Sequence, residues 1–256
     1  SLIKNKNAKK EFYLTDIIKL ATNNDLTCSI LNVEEKEVIG INTREDLSVA
    51  QNIVQQKIKS KLMNQGVTII NPETSYIAHD FEAGNDVTIY PNVFIGSGVK
   101  IGDNVVIRSF SHIEGAIIEN DVNIGPFARI RPTTYIAKKA KIGNFVEIKN
   151  SKIDHSSKIN HLSYVGDSEV GFETNFGAGS ITCNFDGIQT KSKTYIGNQV
   201  VIGSNSSLIA PLTIADRAFI AAGSVITNNV EEDDLAIGRA KQVNLSKRAK
   251  ALRKGY

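Results

Sequence analysis

Arg131 and Lys149 are two cations that lie three steps apart in a hexapeptide repeat, described below, which fills most of this chain. If the chain coils so that residues at this spacing stack, the two side chains share a face on adjacent turns. Two cations held so close repel each other unless an anion lies between them. Phosphate suits such a site, because arginine offers it a fork of donors and lysine a point charge. The spacing therefore indicates phosphate binding, although two unrelated surface cations give the same pattern.

A carboxylate, an imidazole and a phenol follow in the same stretch. Allowing for one short step in the repeat, Tyr164 is predicted to stack over Glu147, with His161 on the same or the adjoining edge. Histidine is well matched to accepting a proton near neutral pH, and a nearby carboxylate could orient it. His161 is therefore the candidate general base, whereas the other three histidines lack such a neighbourhood.

A repeat of six residues must position these side chains. Isoleucine recurs at positions 89, 95, 101, 107 and 113, and large aliphatic residues keep this phase, with a few shorter steps, to position 226. Neither an α-helix nor a β-strand has a period of six. A coil whose flat sides each take one hexapeptide does, with the large residue inside and glycine tolerating the turns. The pattern therefore predicts a repetitive β structure.

The repeat is interrupted once on a large scale, between Phe176 and Ile196. The intervening residues 182–193 are polar and rich in turn formers, which predicts a loop that leaves the coil. Loops on a regular scaffold often carry binding residues.

Residues 1–66 follow a different pattern, typical of the closing piece of an α/β domain with a connecting helix. Asn42 or Thr43 is suited to cap that helix. The predicted elements are a short helix over 15–22, strands over 27–33 and 37–41, and a long helix ended by Gly66. Two parts are therefore expected: residues 1–66, and a β coil with a C-terminal tail over residues 67–256.

Composition excludes several classes of protein. Apolar residues make up 41% and charged residues 22%, as in folded globular proteins, and a net charge of +3 gives no argument for nucleic acid. Cys28 and Cys183 are isolated, so they indicate neither a disulfide framework nor a zinc site. No apolar run reaches membrane-spanning length and no signal-peptide core is present, which predicts a cytoplasmic protein without membrane contact.

Motifs over most of residues 67–240 resemble, in order, those of the bacterial bifunctional N-acetylglucosamine-1-phosphate uridyltransferase/glucosamine-1-phosphate N-acetyltransferase family. The matching segments are GPFARIRP (125–132), GNFVEIK (143–149), HLSYVGD (161–167), NFGAGSITCNFDG (175–187), GSNSSLIAP (203–211), IAAG (220–223) and AIGR (236–239). The resemblance implies a left-handed parallel β-helix of hexapeptide repeats. It also implies a homotrimer with sites between subunits.

The resemblance implies an acetyltransferase that moves the acetyl group of acetyl-CoA to the amine of glucosamine-1-phosphate, with His161 as the catalytic base. For the amino sugar and its phosphate it implies Arg131, Lys149, Tyr164, Asn175 and Lys191. For acetyl-CoA it implies Ala178, Asn184, Phe185, Ser204, Ala222 and Arg239. Position 185 is usually tyrosine in this family, so Phe185 lacks one hydroxyl group.

Three other functions are compatible with a hexapeptide coil. The first is an acyltransferase with another acceptor, such as serine, a different sugar or an acyl-carrier substrate. The second is a zinc enzyme of the γ-carbonic-anhydrase kind, which needs converging histidines, and the four histidines here do not recur at coil spacing. The third is a non-catalytic β-helix that only assembles trimers. The paired cations and the long motif match favour the acetylation of an amino sugar phosphate.

Segments YLTDII (13–18) and GINTR (40–44) resemble the end of the uridyltransferase domain. In that family the asparagine equivalent to Asn42 helps to hold the nucleotide sugar and its magnesium ion. The glycine-rich nucleotide loop and the metal-binding aspartate are not in this sequence, so magnesium is expected only for the uridyltransferase half. We therefore expect no uridyltransferase activity from this chain alone, and UTP-dependent release of pyrophosphate would contradict that.

Overall fold

Within residues 3–253, which the computed structural model describes, short strands form three parallel β-sheets. Up to Val225–Ile226, successive strands fall on the first, second and third sheet in turn, so each strand pairs with one a full coil away. Asn123 pairs with Lys141, which in turn pairs with Lys158, so one coil takes three hexapeptides or one residue fewer. This is a parallel β-helix, as the hexapeptide pattern predicts.

The strands have the following bounds in order along the axis. Those of the first sheet are Thr68–Ile69, Thr88–Ile89, Val106–Ile107, Asn123–Ile124, Lys141–Asn144, Lys158–His161, Asn175–Phe176, Val201–Ile202, Phe219–Ile220 and Leu235–Ala236. Those of the second sheet are Tyr76–Ile77, Phe94–Ile95, His112–Ile113, Arg129–Ile130, Glu147–Lys149, Tyr164–Gly166, Ile181–Cys183, Ser207–Ile209 and Val225–Ile226. Those of the third sheet are Glu82–Ala83, Lys100–Ile101, Ala116–Ile118, Thr134–Ile136, Lys152–Ile153, Ser168–Val170, Thr194–Ile196 and Leu212–Ile214.

The interior of the coil is a column of aliphatic side chains. The isoleucines of the repeat are almost completely buried, and Ile130 and Ile148 have no exposed surface. Some of the small polar residues at crowded positions bond to the main chain: the hydroxyl group of Ser180 donates to the carbonyl oxygen of Gly203 at 3.0 Å. The large aliphatic positions of the repeat are therefore the inward-facing ones, as the sequence predicts.

One corner of the coil, between the first and second sheets, carries a ladder of exposed apolar residues. Phe110, Phe127, Phe145 and Leu162 all have positive φ angles there, between 50° and 62°. Bulky residues rarely adopt this conformation. Stacking offsets part of its cost, since the ring centroids of Phe110 and Phe127 are 4.9 Å apart and those of Phe127 and Phe145 are 5.0 Å apart.

The chain divides into two compact units between Ile53 and Val54, whereas the sequence analysis placed the boundary after Gly66. The first unit contains helix α1 (Asp16–Thr22), as predicted, and a 3₁₀ helix at Glu35–Glu37. The strands predicted over 27–33 and 37–41 do not form in the described part of this unit, so that prediction was wrong. A strand needs a partner for its main-chain groups, and here Ile30 and Leu31 remain 90% and 84% exposed.

Helix α2 (Arg44–Asn64) begins with a capping box. The hydroxyl oxygen of Thr43 accepts a hydrogen bond from the amide of Asp46, whose carboxylate accepts one from the amide of Thr43. The helix ends at Asn64, and Gly66, two residues later, has a φ angle of 95° that turns the chain away. Both ends agree with the sequence analysis, with Thr43 as the cap.

The C-terminal half of α2 belongs to the second unit. Leu62 is buried against the coil, and the side chain of Gln55 exchanges two hydrogen bonds with the main chain of Ile77. The second unit also contains a 3₁₀ helix at Pro72–Thr74 and helix α3 (Arg248–Leu252). None of the helices formed by residues 3–253 is both long and apolar enough to cross a bilayer.

Replacing Ile148 by alanine tests how far the aliphatic column stabilises the coil. The fully buried side chain leaves a cavity, so the free energy of unfolding should fall by about 2–5 kcal/mol in urea titrations. Ile117→Ala is the matched control, because this side chain is 51% exposed on the outer face. Its effect should stay within about 0.5 kcal/mol. Equal losses in the two variants would contradict the assignment of the inner face.

Candidate functional site

One column of residues runs up the corner at which the first-sheet strands end. We call Asn144, His161, Ala178, Ser204 and Ala222 the corner column. Main-chain hydrogen bonds stack them: Leu162 N to Asn144 O (3.0 Å), Gly179 N to His161 O (3.4 Å), Asn205 N to Ala178 O (2.8 Å) and Gly223 N to Ser204 O (2.8 Å). The predicted base and three residues predicted to contact acetyl-CoA therefore lie in one line.

The imidazole of His161 is oriented by the residue directly below it. Its Nδ1 lies 2.7 Å from the side-chain oxygen of Asn144, and the two residues are paired in register. An amide oxygen only accepts hydrogen bonds, so in this arrangement Nδ1 carries the proton and Nε2 has the free lone pair. The sequence analysis suggested a carboxylate in this role, but the structure places a neutral amide there.

The second sheet brings the other predicted groups together. Tyr164 pairs in register with Glu147, as predicted. Arg131 and Lys149 also stack as predicted, since the amide of Arg131 donates to the carbonyl oxygen of Ile148 at 2.9 Å. The cluster thus spans three adjacent coils.

Each of the two cations has a carboxylate partner within the chain. Arg131 Nη1 lies 3.0 Å from Glu147 Oε1, and Lys149 Nζ lies 3.4 Å from Asp167 Oδ2. The argument that the two cations repel unless an external anion lies between them is therefore corrected. The Arg131–Glu147 pair is about one-third exposed, and such pairs contribute only about 0–1 kcal/mol, so phosphate can replace the carboxylate at little cost.

Gly166 fixes the direction of the Tyr164 side chain, which the sequence analysis did not foresee. The ring lies over this glycine: a Cβ atom at position 166 would be 2.6 Å from the ring Cζ. Gly166 is in turn the register partner of Lys149. The phenol is thereby directed along its own strand toward the column that contains Lys149, and the signal in the sequence was a glycine two residues after the tyrosine.

A groove of about 400 Å³ lies between the apolar corner ladder and the second sheet. It begins at the residue that follows His161, and it combines apolar side chains with a guanidinium, a carboxylate and a phenol. Its lining residues are Phe127, Arg129, Phe145, Val146, Glu147, Leu162, Ser163, Tyr164 and Ile181.

The loop predicted over 182–193 forms, but Thr182 and Cys183 remain in the wall. Thr182 is fully buried, and its hydroxyl oxygen accepts a hydrogen bond from the amide of Gly166. The loop closes through a main-chain bond from Ser192 to Asn184 of 2.9 Å and through an antiparallel bridge between Phe185 and Lys191. Both bridge residues are exposed.

Asp167 is a buried carboxylate that the sequence analysis quoted within a motif without a role. Its exposed fraction is 6%. It accepts hydrogen bonds from the side-chain amides of Asn150 (2.6 Å) and Asn184, and from the ammonium group of Lys149. Burial by itself raises the pKa of Asp167, but the two amides and the ammonium outweigh it and hold the pKa below its ordinary value. Asp167 is therefore ionised at neutral pH.

The remaining predicted residues lie farther from the corner column. Asn175 begins a first-sheet strand, three residues before Ala178, and stacks on Lys158. Arg239 is exposed beyond the last strand, with its Cδ 3.7 Å from the place of a Cβ on Gly223.

Asn42 belongs to the first unit, where its amide donates to Asp46 at 3.0 Å, and its metal role stays a prediction. Across residues 3–253, the histidines, cysteines and acidic residues form no cluster of three or more that could hold a metal ion.

Comparison with known proteins gives long matches. The family model "bacterial transferase hexapeptide (six repeats)" matches residues 84–115 and 193–228. Proteins named bifunctional protein GlmU from Zymomonas mobilis and Bartonella quintana are 49% and 47% identical over 99% and 98% of this chain. The chain spans 56% of the length of each of these relatives.

Similarity to solved structures is weaker. UDP-N-acetylglucosamine O-acyltransferase (LpxA) from Moraxella catarrhalis is 19% identical, with a TM-score of 0.48, over 73% of this chain and 78% of that one. A likeness at this level carries no argument about function.

Proposed function

The chain belongs to the GlmU family, and from this premise we propose that it transfers the acetyl group of acetyl-CoA to the amine of glucosamine-1-phosphate. The product, N-acetylglucosamine-1-phosphate, would serve the synthesis of UDP-N-acetylglucosamine. The observation that carries the proposal is the corner column. There an imidazole with a free Nε2 lies directly below a line of small residues.

His161 would act as the general base. Its Nε2 accepts a proton from the amine while the nitrogen forms its bond to the acetyl carbon, and it returns the proton to the sulfur as the carbon–sulfur bond breaks. No acyl-enzyme is needed. Burial raises the pKa of the Cys183 thiol, which disfavours the thiolate that a covalent route would use. The amide of Gly179 already donates to His161, so the Ala178 amide is the better candidate donor to the oxyanion.

The acetyl donor would lie along the corner column. Ala178, Ser204 and Ala222 have short side chains, which leave room for an extended chain. Coils are about 4.8 Å apart, so these residues and His161 extend over roughly 14 Å. Arg239 lies beyond the upper end, where it could meet an anionic group of the donor.

The acceptor would lie over the second sheet. Arg131 and Lys149 would bind the phosphate, with the arginine leaving Glu147. The phenol of Tyr164, three residues after His161, lies over Gly166, the register partner of Lys149. Binding the phosphate holds the amine in attack position, a contribution that an acceptor without phosphate lacks.

The assembly we propose is a homotrimer, as the family resemblance implies, with sites shared between subunits. Phe185 and Lys191 support this, because both are exposed on a loop that stands outside the coil and is accessible to a neighbouring chain.

Release of free thiol from acetyl-CoA tests the proposed reaction. Glucosamine-1-phosphate should support turnover, and glucosamine and serine should be much poorer acceptors. In His161→Ala, kcat should fall roughly 100- to 10,000-fold with little change in either KM, because the base acts in the chemical step.

His155→Ala is the matched control for this variant. His155 stacks on Phe172 and pairs with Asp154, away from the corner column, so turnover should stay near that of the unaltered protein. Equal turnover with serine, or full activity in an intact His161→Ala protein, would contradict the proposal.

Replacing Asn144 tests how His161 is oriented. In Asn144→Asp a carboxylate faces the imidazole and favours its protonated form. In a plot of kcat/KM against pH, the limb on the acid side should then move to higher pH by on the order of one unit. Asn144→Leu removes the acceptor without adding charge, so kcat should fall with no such displacement.

Asn123→Asp adds the same charge to the same sheet, two coils below His161, and should leave the profile in place. An unchanged profile in Asn144→Asp would show that this amide does not orient the base.

A further inference from the structure

Three donors from two segments of the chain converge on Asp167. The ammonium group of Lys149 and the amide of Asn150 come from the coil below, and the amide of Asn184 comes from the base of the loop. Asp167 has a φ angle of 49°, so it lies at a left-handed corner of the coil. Its carbonyl oxygen accepts a hydrogen bond from the amide of Thr194, the residue at which the chain re-enters the wall.

We propose that Asp167 is a positioning residue that holds the phosphate-binding Lys149 and the loop base at Asn184 in one arrangement. The inference rests on the proposed function for the roles of these two residues. Asp167 itself is too deeply buried to be a substrate contact, so it would act through its two partners.

A carboxylate is the group that this convergence requires. Both oxygens of an ionised aspartate accept hydrogen bonds and it has no donor of its own. Asparagine has the same shape but no charge. With its nitrogen toward Asn150, its oxygen would bind Lys149 and Asn184 more weakly, and with its nitrogen toward these two groups it would lose both bonds. The site therefore selects charge and acceptor capacity rather than size.

The Asn184 amide ties the base of the loop to the coil. The loop closes on itself through Ser192 and through the Phe185–Lys191 bridge. These bonds lie within the loop and do not attach it to the coil. In Asp167→Asn the main-chain bond to Thr194 remains, so the re-entry point of the chain is preserved while the bond that anchors the loop base is weakened or lost.

Trypsin digestion without substrates tests the anchoring directly. Lys191 and Lys193 lie in the loop and offer cleavage sites, which mass spectrometry distinguishes from other sites. Losing one hydrogen bond of a charged group should accelerate cleavage there about tenfold in Asp167→Asn.

Asp216→Asn is the matched control. The Asp216 carboxylate also accepts hydrogen bonds from a neighbouring asparagine, Asn198, at 2.8 and 3.0 Å, but it takes no part in the loop. Cleavage at Lys191 and Lys193 should be unchanged in this variant.

Steady-state kinetics test the coupling. In Asp167→Asn the KM values for glucosamine-1-phosphate and for acetyl-CoA should both rise about tenfold, with a smaller change in kcat. Asn184→Ala removes the same bond from the loop side. Trypsin should therefore cleave the loop of Asn184→Ala as fast as that of Asp167→Asn, but only the KM for acetyl-CoA should rise. It also covers the case in which Asp167→Asn does not fold.

Several results would overturn the inference. Faster cleavage with both KM values unchanged would reduce Asp167 to a structural anchor. Unchanged cleavage in both variants would exclude the anchor itself. Failure of the unaltered protein to acetylate any amino sugar phosphate would instead contradict the proposed function, and the digestion would still report on the contact between Asp167 and the loop.

Discussion

Main-chain hydrogen bonding between successive coils is the constraint on which the rest of this structure depends. Each coil donates to and accepts from its neighbours, so residues in register lie about 4.8 Å apart along the axis. The buried isoleucines hold this register, because a slip of one residue would turn every inward side chain outward. A functional site on such a scaffold therefore consists of columns of stacked residues. Residues distant in sequence meet when they occupy the same column or neighbouring columns.

The candidate site uses two columns that meet at a single corner. His161 ends a strand of the first sheet and Tyr164 begins the next strand of the second, so the base and the phenol are held on different walls by a turn of two residues. The two walls also differ in the charge of the groups that face the functional side chains. An amide faces the imidazole, whereas carboxylates face Arg131 and Lys149.

The repeat made much of this arrangement predictable. The spacing alone placed Tyr164 over Glu147 and Lys149 over Arg131, because register follows from counting residues. Counting does not give side-chain conformations, so the pairing of each cation with a carboxylate was not foreseen.

Two other predictions made from the sequence differ from the structure, one at Asn144 and one in the strands expected before Asn42. The coil that joins Asn144 to His161 contains the same short step that places Tyr164 over Glu147, so counting could have paired them. The sequence analysis looked for a carboxylate beside the imidazole and therefore did not consider the amide of Asn144. The strands predicted before Asn42 failed for another reason: alternation of side chains describes one strand, but a sheet also needs the strand beside it.

The loop after Cys183 shows how the coil tolerates added length. Asn175 pairs with Val201 across the loop, whereas Lys141 pairs with Lys158, so the coil that carries the loop is much longer than an ordinary one. The surplus leaves the wall and returns without disturbing the stacking above or below. Entropy of closure grows slowly with length, at about 0.6 kcal/mol for each doubling. Insertions at a corner can therefore diversify ligand preference during evolution while the aliphatic interior, and with it folding, stays the same.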